Sequence, residues 1–168
     1  DVSCNLGSLD IYKATKVQDF EVLIDTAVRL LTNVSNMTHI KNVPSVAKAN
    51  ELMHSIGLGV MNLHGHLVTE GIQYGSKESI AFIDAFMEAV NFFSLKSSME
   101  IAKKTGETFH RFAESDYANG EYFNKYTQKE TMELVPIVKK ALGNVPLITK
   151  EMWNELQQDV EQYGLYHA

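Results

Sequence analysis

The sequence predicts an α/β fold, mostly helical, with short strands near residues 3–11, 55–61 and 165–168. The first observation is the run Ile56-Gly57-Leu58-Gly59-Val60-Met61, whose apolar residues alternate with a period of two, as a strand requires. The second is that helical spacing follows at once: Leu63, Leu67 and Val68 recur along one face, and Gly71 stands where a helix would end in a left-handed turn. The third is that longer helical patterns flank this centre on both sides. The arrangement reads as a buried strand running into a helix. Glycines at 57 and 59 lose packing, so their shared face predicts another backbone lying close.

Taken in order, residues 1–12 (DVSCNLGSLDIY) read as an extended segment broken at Gly7-Ser8. Phe20, Leu23, Ile24, Ala27, Val28, Leu31 and Val34 form one broad face of a helix, with Asp19 as its cap. A polar connection runs from Asn33 to Pro44, and Ser45 is expected to cap a short helix over Val46–Met53. After the central strand and helix, Tyr74-Gly75-Ser76 makes a turn and Ser76 caps the longest helix, Lys77 to Thr105, closed by Gly106. At 1.5 Å per residue this helix is about 40 Å long, enough to cross a domain. Its rings at Phe82, Phe86, Phe92 and Phe93 read as core. Glu107–Thr127 is aromatic and irregular, a long loop pinned by rings with a turn at Asn119-Gly120. Pro136 opens a short helix ended by Gly143, and Thr149 caps a last one from Lys150 to Tyr163, followed by Gly164. Leu165–Ala168 starts as a strand and stops.

The 168 residues fit one domain, with no repeat, low-complexity stretch or dividing linker, so 1–168 is read as a single segment. A net charge of −6 argues against a nucleic-acid surface, which needs clustered Lys and Arg. The densest basic pairs, Lys103-Lys104 and Lys139-Lys140, fall at helix ends, where cations offset the dipole. No apolar run approaches the roughly 20 residues of a membrane span, and no signal peptide opens the chain. One cysteine cannot build a disulfide framework. The expected setting is cytoplasmic, with no membrane and no nucleic-acid partner. The chain lacks an initiator Met and begins as if inside a strand, so a piece of something longer is expected.

Few residues carry recognisable chemistry. His64 and His66 share a face on a strand but diverge by about 200° on the predicted helix, and no second ligand pair lies at suitable spacing, so no metal is assigned. Gly57-x-Gly59 lacks the third glycine and the acid of a dinucleotide fingerprint. On composition alone Cys4 reads as a small apolar filler.

Its setting says more. Cys4-Asn5-Leu6-Gly7-Ser8-Leu9, then Ile56–Leu63 (IGLGVMNL) and Tyr74-Gly75-Ser76, resemble the large catalytic subunit of aerobic ribonucleotide reductase. Ser115–Phe123 (SDYANGEYF) and Tyr163–Ala168 (YGLYHA) resemble its bacterial class Ib version. These matches keep the family's order and cover nearly the whole chain.

The resemblance implies an internal slice of a ten-stranded α/β barrel rather than a complete domain. It implies an oxidoreductase that converts ribonucleoside diphosphates to deoxyribonucleotides for DNA replication by thiyl-radical chemistry, with a cysteine pair as reductant. Cys4 matches one half of that redox-active disulfide, its partner lying outside this chain. The radical cysteine, the phosphate-binding segment, the radical-transfer tyrosines and the effector loops also lie outside, so this segment alone is expected to be inactive. The implied partners are the remaining segments of the α subunit, a radical-bearing small (β) subunit and a thioredoxin- or glutaredoxin-like reductant. No cofactor is expected in this segment, because the family's dimanganese or diiron tyrosyl radical sits in the small subunit. The sequence departs from the family at Asp10, where Asn is usual. The alternative is a free-standing interaction module whose long helix Lys77–Thr105 supplies a binding groove.

Overall fold

The computed structural model describes residues 2–38, 41–129 and 133–168. Strand β1 (Asn5–Asp10) passes through α1 (Ile11–Ala14) into α2 (Phe20–Met37) and α3 (Pro44–Met53), and the chain then returns as β2 (Ile56–Met61). The two strands pair in parallel with Asn5 opposite Ile56 and Asp10 opposite Met61. Parallel pairing needs a crossover, and α2 and α3 supply it. Then follow α4 (Leu63–Thr69), α5 (Lys77–Thr105), two 3-10 turns at Phe112–Glu114 and Glu121–Phe123, α6 (Asn124–Thr127), α7 (Pro136–Leu142) and α8 (Lys150–Tyr163).

Helix α5 is the axis of the core. Phe82, Phe86, Phe92 and Phe93 are buried, and α2, α7 and α8 all pack on it. Phe20 of α2 meets Phe86 and Phe93 edge to face, and Trp153 of α8 meets Phe92 the same way. Each fully buried ring contributes about 1.5–3 kcal/mol. Its own neighbours thus cover most of the long helix expected to supply a groove, and the cavity left along it, beside Ala81, Asp84, Ala85 and Glu88, is closed on its far side by Tyr126, Lys129 and Trp153.

The caps at Asp19, Ser76 and Thr149 form as expected, each accepting a backbone N–H three residues on. Other expectations need correction. The first strand is not broken at Gly7-Ser8: a side chain at Gly7 would crowd Leu31 of α2 at 3.3 Å, so the glycine serves close packing. Helix α2 runs three residues past Val34, its last turn held by Ser35 bonding to Asn50. Ser45 is not a cap, because Pro44 takes the first helical position, where its missing N–H costs nothing. Of the connection from Asn33 to Pro44, residues 39 and 40 lie outside the described residues, as does residue 1.

Strand β2 is half-buried rather than buried, with one face of the sheet left open. The backbone expected close to the two glycines is met only at Gly59, where the Gly7 carbonyl oxygen would lie 3.7 Å from a Cβ; over Gly57 the nearest atoms belong to the side chain of Leu6. Leu67 of α4 is buried as expected, but Val68 faces outward. The loop at 107–127 is pinned by rings and also contains two 3-10 turns and α6. Leu165–Ala168 forms no strand. Leu165 O accepts from Phe109 N, Tyr166 and His167 donate to the Ser98 hydroxyl, and Ala168 donates to Met53 O. Helix and loop partners thus satisfy a segment that, among the described residues, has no strand beside it.

Candidate functional site

The open face of the sheet carries the one thiol. Side chains alternate across a strand, and along β1 Asn5, Gly7 and Leu9 turn toward the helices while Leu6 and Ser8 turn away. Cys4, one residue before the strand, continues the outward set and is exposed. In the facing strand Gly57 and Gly59 lie on that same side. A Cβ built on Gly57 would come within 2.6 Å of Leu6 and 3.5 Å of the Cys4 sulfur, and one on Gly59 within 3.4 Å of Ser8. The two glycines therefore form a flat floor beside the thiol. The inner face is the reverse: Leu9, Ile56, Leu58 and Val60 pack on the core.

Below the thiol lies a buried polar knot. Asn50 of α3 is only 6% exposed. Its Oδ1 accepts from Ser35 Oγ at 2.9 Å, and its Nδ2 donates to Ser35 O at 2.8 Å. The same oxygen accepts from Ser3 Oγ and Asn5 Nδ2, each at 3.4 Å. Sequence reading passed over Asn50. Its signal was an amide on the stripe shared with Val46, Ala47 and Met53 in an otherwise ordinary short helix.

The far ends of the strands are tied as well. Asp10 Oδ1 accepts from Lys13 N at 3.0 Å, capping α1, and Oδ2 accepts from Asn62 Nδ2 at 3.2 Å. An Asn at position 10 would keep the cap oxygen, and the Asn62 amide could turn to meet its Nδ2, so the departure at Asp10 is absorbed locally.

The histidine pair does diverge. His66 is buried, with Nε2 3.0 Å from Ala141 O and its ring between Tyr12 and Phe82. His64 is exposed and meets Tyr74 edge-on. Among the described residues no three His, Cys, Asp or Glu side chains are grouped to hold a metal ion, and no helix is long and apolar enough to cross a membrane. What the open face offers chemically is an accessible thiol on a rigid two-stranded support, the access that thiol–disulfide exchange requires.

The family description "Ribonucleotide reductase, barrel domain" matches residues 1–168. The ribonucleoside-diphosphate reductase NrdEB subunit alpha of Bacillus subtilis (strain 168) is 45% identical over the whole chain, which covers 16% of that protein. A second α subunit from the same organism is 42% identical and that of Mycoplasma pneumoniae 37%, the chain covering 24% of each. The chain thus spans between about a sixth and a quarter of the length of these relatives. Matched from its first residue to its last, the chain belongs to the ribonucleotide reductase barrel-domain family.

Proposed function

We propose that this chain is part of a ribonucleotide reductase catalytic (α) subunit of the bacterial class Ib type, and that Cys4 is one half of its redox-active disulfide. The observation that carries the reading is the exposed thiol of Cys4 on the open sheet face, in a chain matched throughout by the barrel-domain family. The two strands and their crossover helices would be one section of the ten-stranded barrel.

In the complete subunit two thiols supply the reducing equivalents. The C2′–O bond of a ribonucleoside diphosphate breaks and its oxygen leaves as water. Cys4 and a partner thiol outside this chain give up two electrons and two protons and join as a disulfide. The initiating thiyl radical would be generated on a cysteine outside this chain, at the expense of a dimanganese- or diiron-supported tyrosyl radical in a separate small subunit. A thioredoxin- or glutaredoxin-like dithiol would then restore Cys4 by exchange, for which an exposed sulfur is needed. We place the reaction in the cytoplasm, and expect the segment by itself to be inactive.

The test is Cys4→Ser in a complete α subunit carrying this sequence. The variant should fold and bind the small subunit, yet lose multiple turnover with a thioredoxin-like reductant by at least two orders of magnitude. Undiminished multiple turnover would remove Cys4 from the reaction.

A further inference from the structure

We propose that Asn50 is a positioning residue for the Cys4 thiol, an inference that rests on the redox reading of Cys4. The ladder between the strands starts at Asn5, whose N–H donates to Ser55 O at 3.2 Å. Cys4 lies one residue outside it. What fixes this stretch is the pair of residues flanking the cysteine. Ser3 and Asn5 both point inward and share what the Asn50 oxygen has left to offer, each at 3.4 Å, Ser35 Oγ holding its other lone pair at 2.9 Å. Alternation then sends the intervening side chain to the opposite, open face.

Asn50 is suited to this because it is itself immobilised. Its amide exchanges two hydrogen bonds with Ser35 of α2, so its position is inherited from the packing of α3 on α2. Burying an amide is unfavourable unless its groups are bonded, and here both its oxygen and its nitrogen are. The two contacts to the strand are longer than those to Ser35, so they are the part that can be removed without undoing the helix pair. A disulfide demands Cβ atoms about 3.5–4.5 Å apart. A cysteine whose flanks are untethered meets that demand less often, and its disulfide becomes easier to reduce.

The experiment is performed on the complete α subunit, with the reduction potential of the Cys4 disulfide read by equilibration against a dithiol couple. Asn50→Ala should lower the effective concentration of the two thiols on the order of tenfold, a shift of about 30 mV toward less negative potential. Ser3→Ala with Asn5→Ala should shift it in the same direction while leaving the melting temperature unchanged, because the Ser35–Asn50 pair stays intact. If Asn50→Ala fails to fold, the double variant decides the matter alone. A potential equal to that of the parent in the double variant, with Cys4→Ser still blocking multiple turnover, would overturn the role of Asn50 and leave the role of Cys4 standing. Full multiple turnover by Cys4→Ser would overturn both.

Discussion

At the scale of single residues, His167 shows how a titratable group is held in one state. Its Nε2 lies 2.8 Å from Thr32 Oγ1, and that hydroxyl already donates to Val28 O. The ring must therefore donate from Nε2, which leaves Nδ1 to accept from Ser98 Oγ at 2.9 Å. Ser98 Oγ in turn accepts from the Tyr166 and His167 N–H groups, so no lone pair remains to receive a proton on Nδ1. Burial, and then the nearby His54, push the His167 pKa from 6.5 down to about 4. The unfolded chain therefore binds a proton that the folded chain refuses. Stability from this ring is complete above pH 6.5 and is lost as pH falls toward 4, by on the order of 2–3 kcal/mol. Urea midpoints measured between pH 7 and 4.5 should fall more steeply for the parent chain than for His167→Gln. Parallel curves would mean that carboxylates alone set the acid sensitivity. None of this network could be read in advance, because Thr32, Ser98 and His167 meet only through the packing of α2, α5 and the tail. Cys4 could be singled out from sequence because its neighbours Asn5–Leu9 carry the family resemblance. Asn50 was not, because its partners Ser3, Asn5 and Ser35 come from two other parts of the chain.

At the scale of elements, boundaries set by local chemistry were legible, save the start of α3, where Pro44 rather than Ser45 leads the helix, and those set by tertiary contact were not. Helix α5 starts at the Ser76 cap and stops at Gly106, both of which act within a single turn. The end of α2 moved from Val34 to Met37 because Ser35 bonds to an element fifteen residues away. The same distinction separates two glycines that look alike in sequence, each ending a helix with positive φ. Gly106 has nothing within 4 Å of a would-be Cβ, whereas one on Gly143 would sit 2.3 Å from the Thr15 carbonyl oxygen. That carbonyl also accepts from Asn144 N, and Asn144 Nδ2 donates to Val17 O, so the α7 end is locked to the segment after α1. Gly106→Ala should cost about 1–2 kcal/mol, the conformational penalty of a left-handed residue. Gly143→Ala should cost clearly more, since backbone must also move. Equal losses in thermal or urea unfolding would show that the Thr15 contact yields freely.

At the scale of the whole molecule, the core is well closed around α5 but two surfaces are not closed. Both strands belong to a two-stranded sheet, so among the described residues each has an outer edge without a strand partner, and Leu6 is 77% exposed on the open face. Unpaired edges of this kind invite pairing with another chain. On α2, Leu30, Val34 and Met37 are exposed within about 60° of one another around the helix, a second apolar surface turned from the core. The core residues buried by α2 lie on its other side: Ile24, Val28 and Leu31. Removing the exposed trio therefore leaves packing untouched. The expected behaviour of the isolated chain is folded but self-associating, with sedimentation giving a mean mass that rises with concentration. Leu30→Glu with Met37→Glu should lower that mass at a given concentration, with unchanged helical circular dichroism, and Leu6→Lys should lower it through the sheet. If the parent stays a monomer over the whole range, neither surface is adhesive. If only Leu6→Lys acts, association runs through the sheet and the α2 face is inert; the converse result would place it on α2. The open sheet face, which holds the accessible thiol, is the surface on which an added strand or chain would bear most directly on Cys4.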